Sequence, residues 1–235
     1  MRIVTPPGVF APISDTWLLA AAMREQIVGP RATVLDVFTG SGALAIAAAR
    51  RGARHVTAVD ISRRAVLTAR LNARLNGVRV EALRSDLFSA VSHRRFDVIV
   101  ANPPYVPTPG EVDDPRGPRR AWDGGDDGRA LLDRLLAEAP EHLRPGGILL
   151  VVHSEVCGIG RTLEAMAAGG LEADVCARRW GPLGPLMRAR APELERRGLL
   201  PPGARQEEIV VIRGRRPPSP AAPGARLQRS GAAAA

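Results

Sequence analysis

Short apolar runs alternate along the chain with longer stretches in which apolar residues recur every three or four positions. The runs cover residues 32–38, 55–61, 78–83, 96–102, 147–155, 171–180 and 207–214. The first, second, fourth and fifth are almost unbroken Val, Ile, Leu and Ala, the pattern of strands buried on both faces of a parallel sheet. Between the second and third runs, Ser62 is placed to cap a helix. Val66, Ala69 and Ala73 share one face of it, and Gly77 ends it. A second helix is predicted after the Asp-rich turn at 126–127, ending at Pro145-Gly146-Gly147. This alternation predicts a doubly wound, mostly parallel seven-stranded α/β sheet, with ligands at the carboxyl ends of its strands. Residues 181–206, rich in Pro and Arg, read as an insertion with one short helix around Ala191–Arg197, and residues 215–235 as a disordered tail.

The first strand runs into Gly40-Ser41-Gly42 and then an Ala-rich helix. Small residues let the chain turn sharply and let a ligand approach the backbone. Asp60, twenty residues beyond Gly40 and at the end of the second strand, is placed to accept hydrogen bonds from both hydroxyls of a ribose. The order strand, glycine turn, helix, strand, acid admits a dinucleotide or S-adenosyl-L-methionine. Asp36 inside the first strand separates them, because a carboxylate there repels a diphosphate and attracts the ammonium of a methionine moiety. Asp86, after the third strand, can accept from an adenine amino group, with Leu87 beside the ring. Three acids at successive strand ends resemble the class I (Rossmann-like) S-adenosylmethionine-dependent methyltransferases. Phe38 departs from that pattern, standing where such enzymes often have a glycine.

The fourth strand ends in Asn102-Pro103-Pro104-Tyr105. A planar NH2 whose lone pair is delocalised must be turned before its nitrogen can attack a methyl group. The Asn102 side-chain oxygen and the Pro103 carbonyl can each accept one N–H, and the prolines offer no competing donor. Tyr105 can stack its ring on the planar group. An amide and an exocyclic base amine both satisfy this chemistry, so an adenine-N6-type nucleic-acid methyltransferase stands as the alternative.

Two flanking stretches tilt the choice. Residues 118–136, with Ala121, Gly124, Gly125 and Gly128, and residues 10–19, with Pro12, Asp15, Thr16 and Leu19, resemble segments of the HemK/PrmC family of protein-(glutamine-N5) methyltransferases, in its short branch. The resemblance implies methylation of a glutamine side chain, most often in a translation release factor. It also implies that residues 1–31 close over the cofactor site, bringing in Thr16, ahead of a methyltransferase domain at 32–214. The long branch has an N-terminal helical domain for which residues before 32 leave no length. Members of the short branch pair with a small zinc-binding activator subunit, for which the edge strand at 78–83 is the candidate dock.

Composition refines this only slightly. The net charge of +9 favours phosphate-bearing partners, but all 33 basic residues are arginine, as codon bias from a GC-rich genome produces. Cys157 and Cys176 have no partner at disulfide or zinc-motif spacing, so no metal is expected. His55, His93, His142 and His153 form no constellation. No apolar leader or span is visible, which implies a cytoplasmic protein without membrane contact.

Overall fold

The computed structural model describes residues 1–26, 31–108, 119 and 121–219. Its strands are β1 (Thr33–Val37), β2 (His55–Asp60), β3 (Glu81–Arg84), β4 (Phe96–Ala101), β5 (Leu143–Ser154), β6 (Glu172–Pro182) and β7 (Gln206–Arg215). They form one seven-stranded sheet in the order β3-β2-β1-β4-β5-β7-β6. The first five strands are parallel, and β7 runs antiparallel to both β5 and β6. Chain order reverses between β1 and β4, and the carboxyl ends of these two strands open the crevice in which such sheets bind ligands.

Neighbouring strand residues alternate between two cores, as continuous apolar strands must. Helices α1 (Ser14–Gln26), α2 (Ala43–Arg50) and α3 (Arg63–Leu75) cover one face, packing Leu19, Met23, Leu44, Ala48 and Val66 on Val34, Val100, Leu150 and Val211. Helices α4 (Ala130–Glu138) and α5 (Ile159–Ala168) cover the other, packing Leu132, Leu135 and Met166 on Leu35, Ile99, Leu149 and Ile212. The Ser62 cap forms as expected, its hydroxyl accepting from Ala65 N.

Three expectations are corrected. Helix α4 stops at Glu138 rather than at Pro145, because Pro140 lacks the N–H that another helical turn needs and the chain tightens into a 3-10 turn over Ala139–His142. Strand β5 therefore starts at Leu143, and Gly146-Gly147 form an irregularity in its pairing with β4, between Leu143 and Ile148. The strand expected at 78–83 begins only at Glu81. The helix expected at 191–197 is α6, Pro185–Arg196, starting six residues earlier. Pro185 suits a first helical position, and Met187 and Leu194 anchor the helix in a small core with Val106, Leu183 and Leu200, so Pro192 does not end it. Of the expected tail, Arg216 still pairs with Gly147 and donates to Pro140 O and Leu143 O; residues 220–235 lie outside the described residues.

Candidate active site

A cavity of about 1070 Å³ opens at the carboxyl ends of the parallel strands. Its lining includes Thr16, Gly40, Ser41, Asp60, Asp86, Leu87 and Asn102–Tyr105, which brings together every residue expected from sequence to touch cofactor or target except Asp36 and Gly42. Those two stand behind the lining and shape it. Gly42, the N-cap of α2, has φ 82°, and a Cβ there would lie 2.9 Å from Ala69 Cβ. Only glycine lets the loop turn while α2 packs on α3. Phe38 has φ 61°, a left-handed backbone value that favours glycine.

Asp36 is fully buried. Its Oδ2 accepts from the Thr39 hydroxyl at 2.6 Å and from Ala45 N at 3.0 Å, tying the loop to α2. Its Oδ1 is buried with no hydrogen-bond partner. Burial pushes the carboxyl up from 3.8 to about 7, against the lowering effect of its two donors. Asp60 is oriented by Gly40 N on one oxygen and Ser62 N on the other, at 3.0 and 2.9 Å. Asp86 is exposed and pairs with Arg134 at 3.1 Å, so any adenine contact from it competes with that partner. Leu87 is buried with φ 45°, which projects it differently from an ordinary extended residue. Asn72 braces this end by donating to Ser41 O and exchanging hydrogen bonds with the backbone of Val4.

At the other end, Asn102 follows β4 directly, and its Nδ2 donates to Thr16 Oγ1 at 3.3 Å. This leaves Oδ1 as the edge of the amide available to a donor in the cavity. Pro103 and Pro104 are buried. The Tyr105 hydroxyl donates to Asp15 Oδ2. Burial, then the neighbouring Asp15 charge, raise this phenol well above its usual range. Asp15 in turn accepts from Arg179 at 2.8 Å. Tyr105 is thus pinned at its tip to the N-terminal helix.

The glycines of the following segment support the tetrapeptide from behind. Val106 N donates to Trp122 O and Gly124 N to Val106 O, and a Cβ on Gly128 would lie 2.3 Å from Tyr105 O. Of that segment, residues 118 and 120 lie outside the described residues, as do residues 109–117 before it. Arg129, to which the sequence assigned no role, is buried and donates to Cys157 O at 2.6 Å and Thr162 Oγ1 at 3.0 Å, locking α4 to α5. Asp15 is itself a residue of the 10–19 motif, in which only Thr16 is given a role; Arg179 and Glu207 carry no sequence signal, because they meet only through strand pairing.

An acid with two backbone donors, a glycine loop at a helix start and an unpaired buried carboxylate oxygen fit a nucleoside that carries an amino-acid end. Cys157 and Cys176 are both free, and no helix among the described residues is long and apolar enough to cross a membrane.

Comparison with known proteins agrees with this geometry. The family profile of the methyltransferase small domain matches residues 1–113. A putative protein N5-glutamine methyltransferase of Methanocaldococcus jannaschii is 36% identical over 187 residues, covering 80% of this chain and 93% of that protein. The release factor glutamine methyltransferase of Geobacter sulfurreducens is 39% identical, over 64% of this chain and 55% of its own length. The ribosomal protein uL3 glutamine methyltransferase of Bradyrhizobium diazoefficiens is 44% identical, over 69% and 52%. The chain thus spans about half the length of these two bacterial relatives. Among solved structures, the E. cuniculi Mtq2–Trm112 complex, responsible for methylation of the eRF1 translation termination factor, shares the fold with a TM-score of 0.61 at 22% identity, over 89% of this chain and 99% of that one. The nearly full-length match to the archaeal protein shows that the chain belongs to the protein N5-glutamine methyltransferase family, of class I methyltransferase fold.

Proposed function

We propose that the chain transfers the methyl group of S-adenosyl-L-methionine to the side-chain amide nitrogen of a glutamine in a translation release factor. The observation that carries this reading is Asn102, which lines the cavity beside the buried Pro103-Pro104 and donates its Nδ2 to Thr16, so that Oδ1 is the acceptor it offers a target amide. When bound, the cofactor supplies an electrophilic methyl. Asp60 would hold its ribose, Leu87 its adenine, and the Gly40–Gly42 loop its amino-acid end, with Asp36 behind that loop placing negative charge toward the ammonium.

The chain's own residues then act on the target amide. Asn102 Oδ1 and the Pro103 carbonyl accept its two N–H groups, which aims the nitrogen and favours the positive charge that develops as N–CH3 forms and S–CH3 breaks, its electron pair staying on the leaving thioether; one of the two N–H protons is then lost to solvent. Tyr105 stays protonated on Asp15, so it serves as a wall of the slot and not as a base. Thr16 sits in α1, whose Leu19 and Met23 are core residues, so this contact is built into the fold.

A small partner subunit is part of this reading. β3 is an edge strand, and α3 beside it exposes Leu67, Leu71 and Leu75 on one stripe, a surface suited to strand pairing with an apolar cover. Protection of the β3 amides from hydrogen exchange on adding a candidate subunit supports this dock, and unchanged exchange contradicts it. For the reaction itself, the test is incubation with methyl-labelled cofactor and, separately, purified release factor, ribosomal protein uL3 and total RNA. Label in the release factor is expected. Label only in uL3 moves the substrate within protein glutamines, and label only in RNA refutes the reading.

A further inference from the structure

The target end of the cavity contains two complementary polar atoms that the reaction, as derived above, does not use. Glu207 opens β7 and Arg179 lies near the end of β6, and both line the cavity. Strand pairing sets Gly181 opposite Glu207 and Ile209 opposite Arg179, so the two side chains are diagonal neighbours on one face of the sheet. Glu207 is 6% exposed; its Oε1 accepts from Gly184 N at 3.0 Å, the nearby Ser154 hydroxyl favours its charged form, and Oε2 is buried with no partner in full hydrogen-bond geometry. Arg179 spends one terminal nitrogen on Ser14 and Asp15, and its Nε is likewise buried without a partner. Arg179 Nη1 passes over Gly181, 2.9 Å from where a Cβ would stand.

Unsatisfied buried polar atoms are costly and uncommon. One is an acceptor and the other a donor, and a peptide group offers the complement of both. We propose that Glu207 Oε2 and Arg179 Nε form a subsite for the substrate's main chain, taking one N–H and one C=O next to the methylated glutamine. Such a clamp recognises no side chain. It requires the glutamine to arrive in an extended or looped backbone, since a helix or sheet interior has no free peptide groups to present. The apolar floor from Pro182, Pro185 and Leu186 suits such a segment. This inference rests on the glutamine reading above and adds how the protein substrate is held.

Its test uses a peptide carrying the methyl-accepting glutamine, and a set in which each backbone N–H within two residues of it is replaced by an ester oxygen. Affinities are measured by fluorescence anisotropy for the wild-type protein and for Glu207→Gln. That variant keeps the Gly184 contact through its carbonyl and turns the Oε2 position from acceptor into donor. One ester position is expected to weaken wild-type binding about 10- to 100-fold, the value of a hydrogen bond to a charged acceptor, and to have no such effect in Glu207→Gln. A merely structural Glu207 would not discriminate between ester positions. Absence of any sensitive position in the wild type, or an equal penalty in Glu207→Gln, overturns the subsite. Failure of the wild-type protein to methylate the all-amide peptide overturns the glutamine reading instead. Melting curves and cofactor affinity of Glu207→Gln confirm that it is folded. Should it unfold, Arg179→Gln against peptides with thioamide carbonyls decides the same question from the donor side.

Discussion

A buried carboxylate with its pKa near neutrality makes the stability of this protein depend on pH in an unusual direction. Asp36 titrates at about 7 in the folded chain against 3.8 ordinarily. Below about pH 4 the group is protonated in both the folded and unfolded states, and it costs nothing. Above that, the unfolded chain releases the proton while the folded chain holds it until about pH 7, so the unfolded state gains with rising pH. The linkage relation gives a loss of about 3 kcal/mol between about pH 5 and about pH 8 from this one residue. Asp36→Asn removes the titration. The stability of the wild type relative to Asp36→Asn should therefore fall by about that amount over the window, measured by urea unfolding at successive pH values. Asp97 and Asp127, held below their usual range in spite of burial by hydrogen bonds from Thr33 and Arg161 and by arginine charges, act below about pH 4 and cancel in the comparison. A cationic amino-acid end placed near Oδ1 should pull the pKa down. Cofactor binding at about pH 7 should then release about half a proton, seen as a calorimetric enthalpy that varies with the ionisation enthalpy of the buffer. Parallel pH profiles for the two proteins, together with buffer-independent binding, would refute the assignment of Asp36 as a cofactor-linked buried acid.

Other perturbations have definite expected outcomes. Asn102→Ala should lower turnover by about 100- to 1000-fold, the cost of losing one positioned acceptor at a developing charge, with cofactor affinity in direct titration within about threefold of wild type. Gly42→Ala should destabilise by about 2–4 kcal/mol, combining left-handed backbone strain with the clash on Ala69, read as a lower urea midpoint at unchanged slope. Arg129→Leu leaves Cys157 O and Thr162 Oγ1 without their donor and should cost about 2–4 kcal/mol, with the loss appearing first as faster hydrogen exchange in α4 and α5.

The sheet and its switch point were legible because β1, β2, β4 and β5 are unbroken apolar strands bounded by glycines and acids, a local signal. The helix within residues 181–206 was placed too late for a physical reason. Pro192 fits a first helical turn by local rules, yet Met187 and Leu194 supply tertiary anchoring that a sequence window does not contain and carry the helix back to Pro185. The same holds for the end of α4, where the stop was carried by Pro140 and not by the more conspicuous Pro-Gly-Gly. Within the site, Asn102, Asp60 and the glycine turn were readable from type and spacing. A second task of Asp36 was not readable: besides the charge it brings to this end of the cavity, its Oδ2 accepts from Thr39 and from Ala45 N and so braces the loop. Gly124 and Gly128 were readable as important without a reason, and the reason is their contact with the Tyr105 backbone. Arg179 and Glu207 come from strands that meet only through antiparallel register at the sheet's far end, so no sequence spacing connects them.

The claim on which the rest depends is the identity of the nitrogen that receives the methyl. A release factor labelled with nitrogen-15 only in its glutamine side chains, treated with the enzyme and carbon-13 methyl-labelled cofactor, decides it by a one-bond carbon–nitrogen coupling in the product. The geometry at Asn102 predicts that coupling at a single glutamine and its absence with Asn102→Ala. A labelled methyl with no coupling to nitrogen-15, or labelling confined to nucleic acid, would contradict the account.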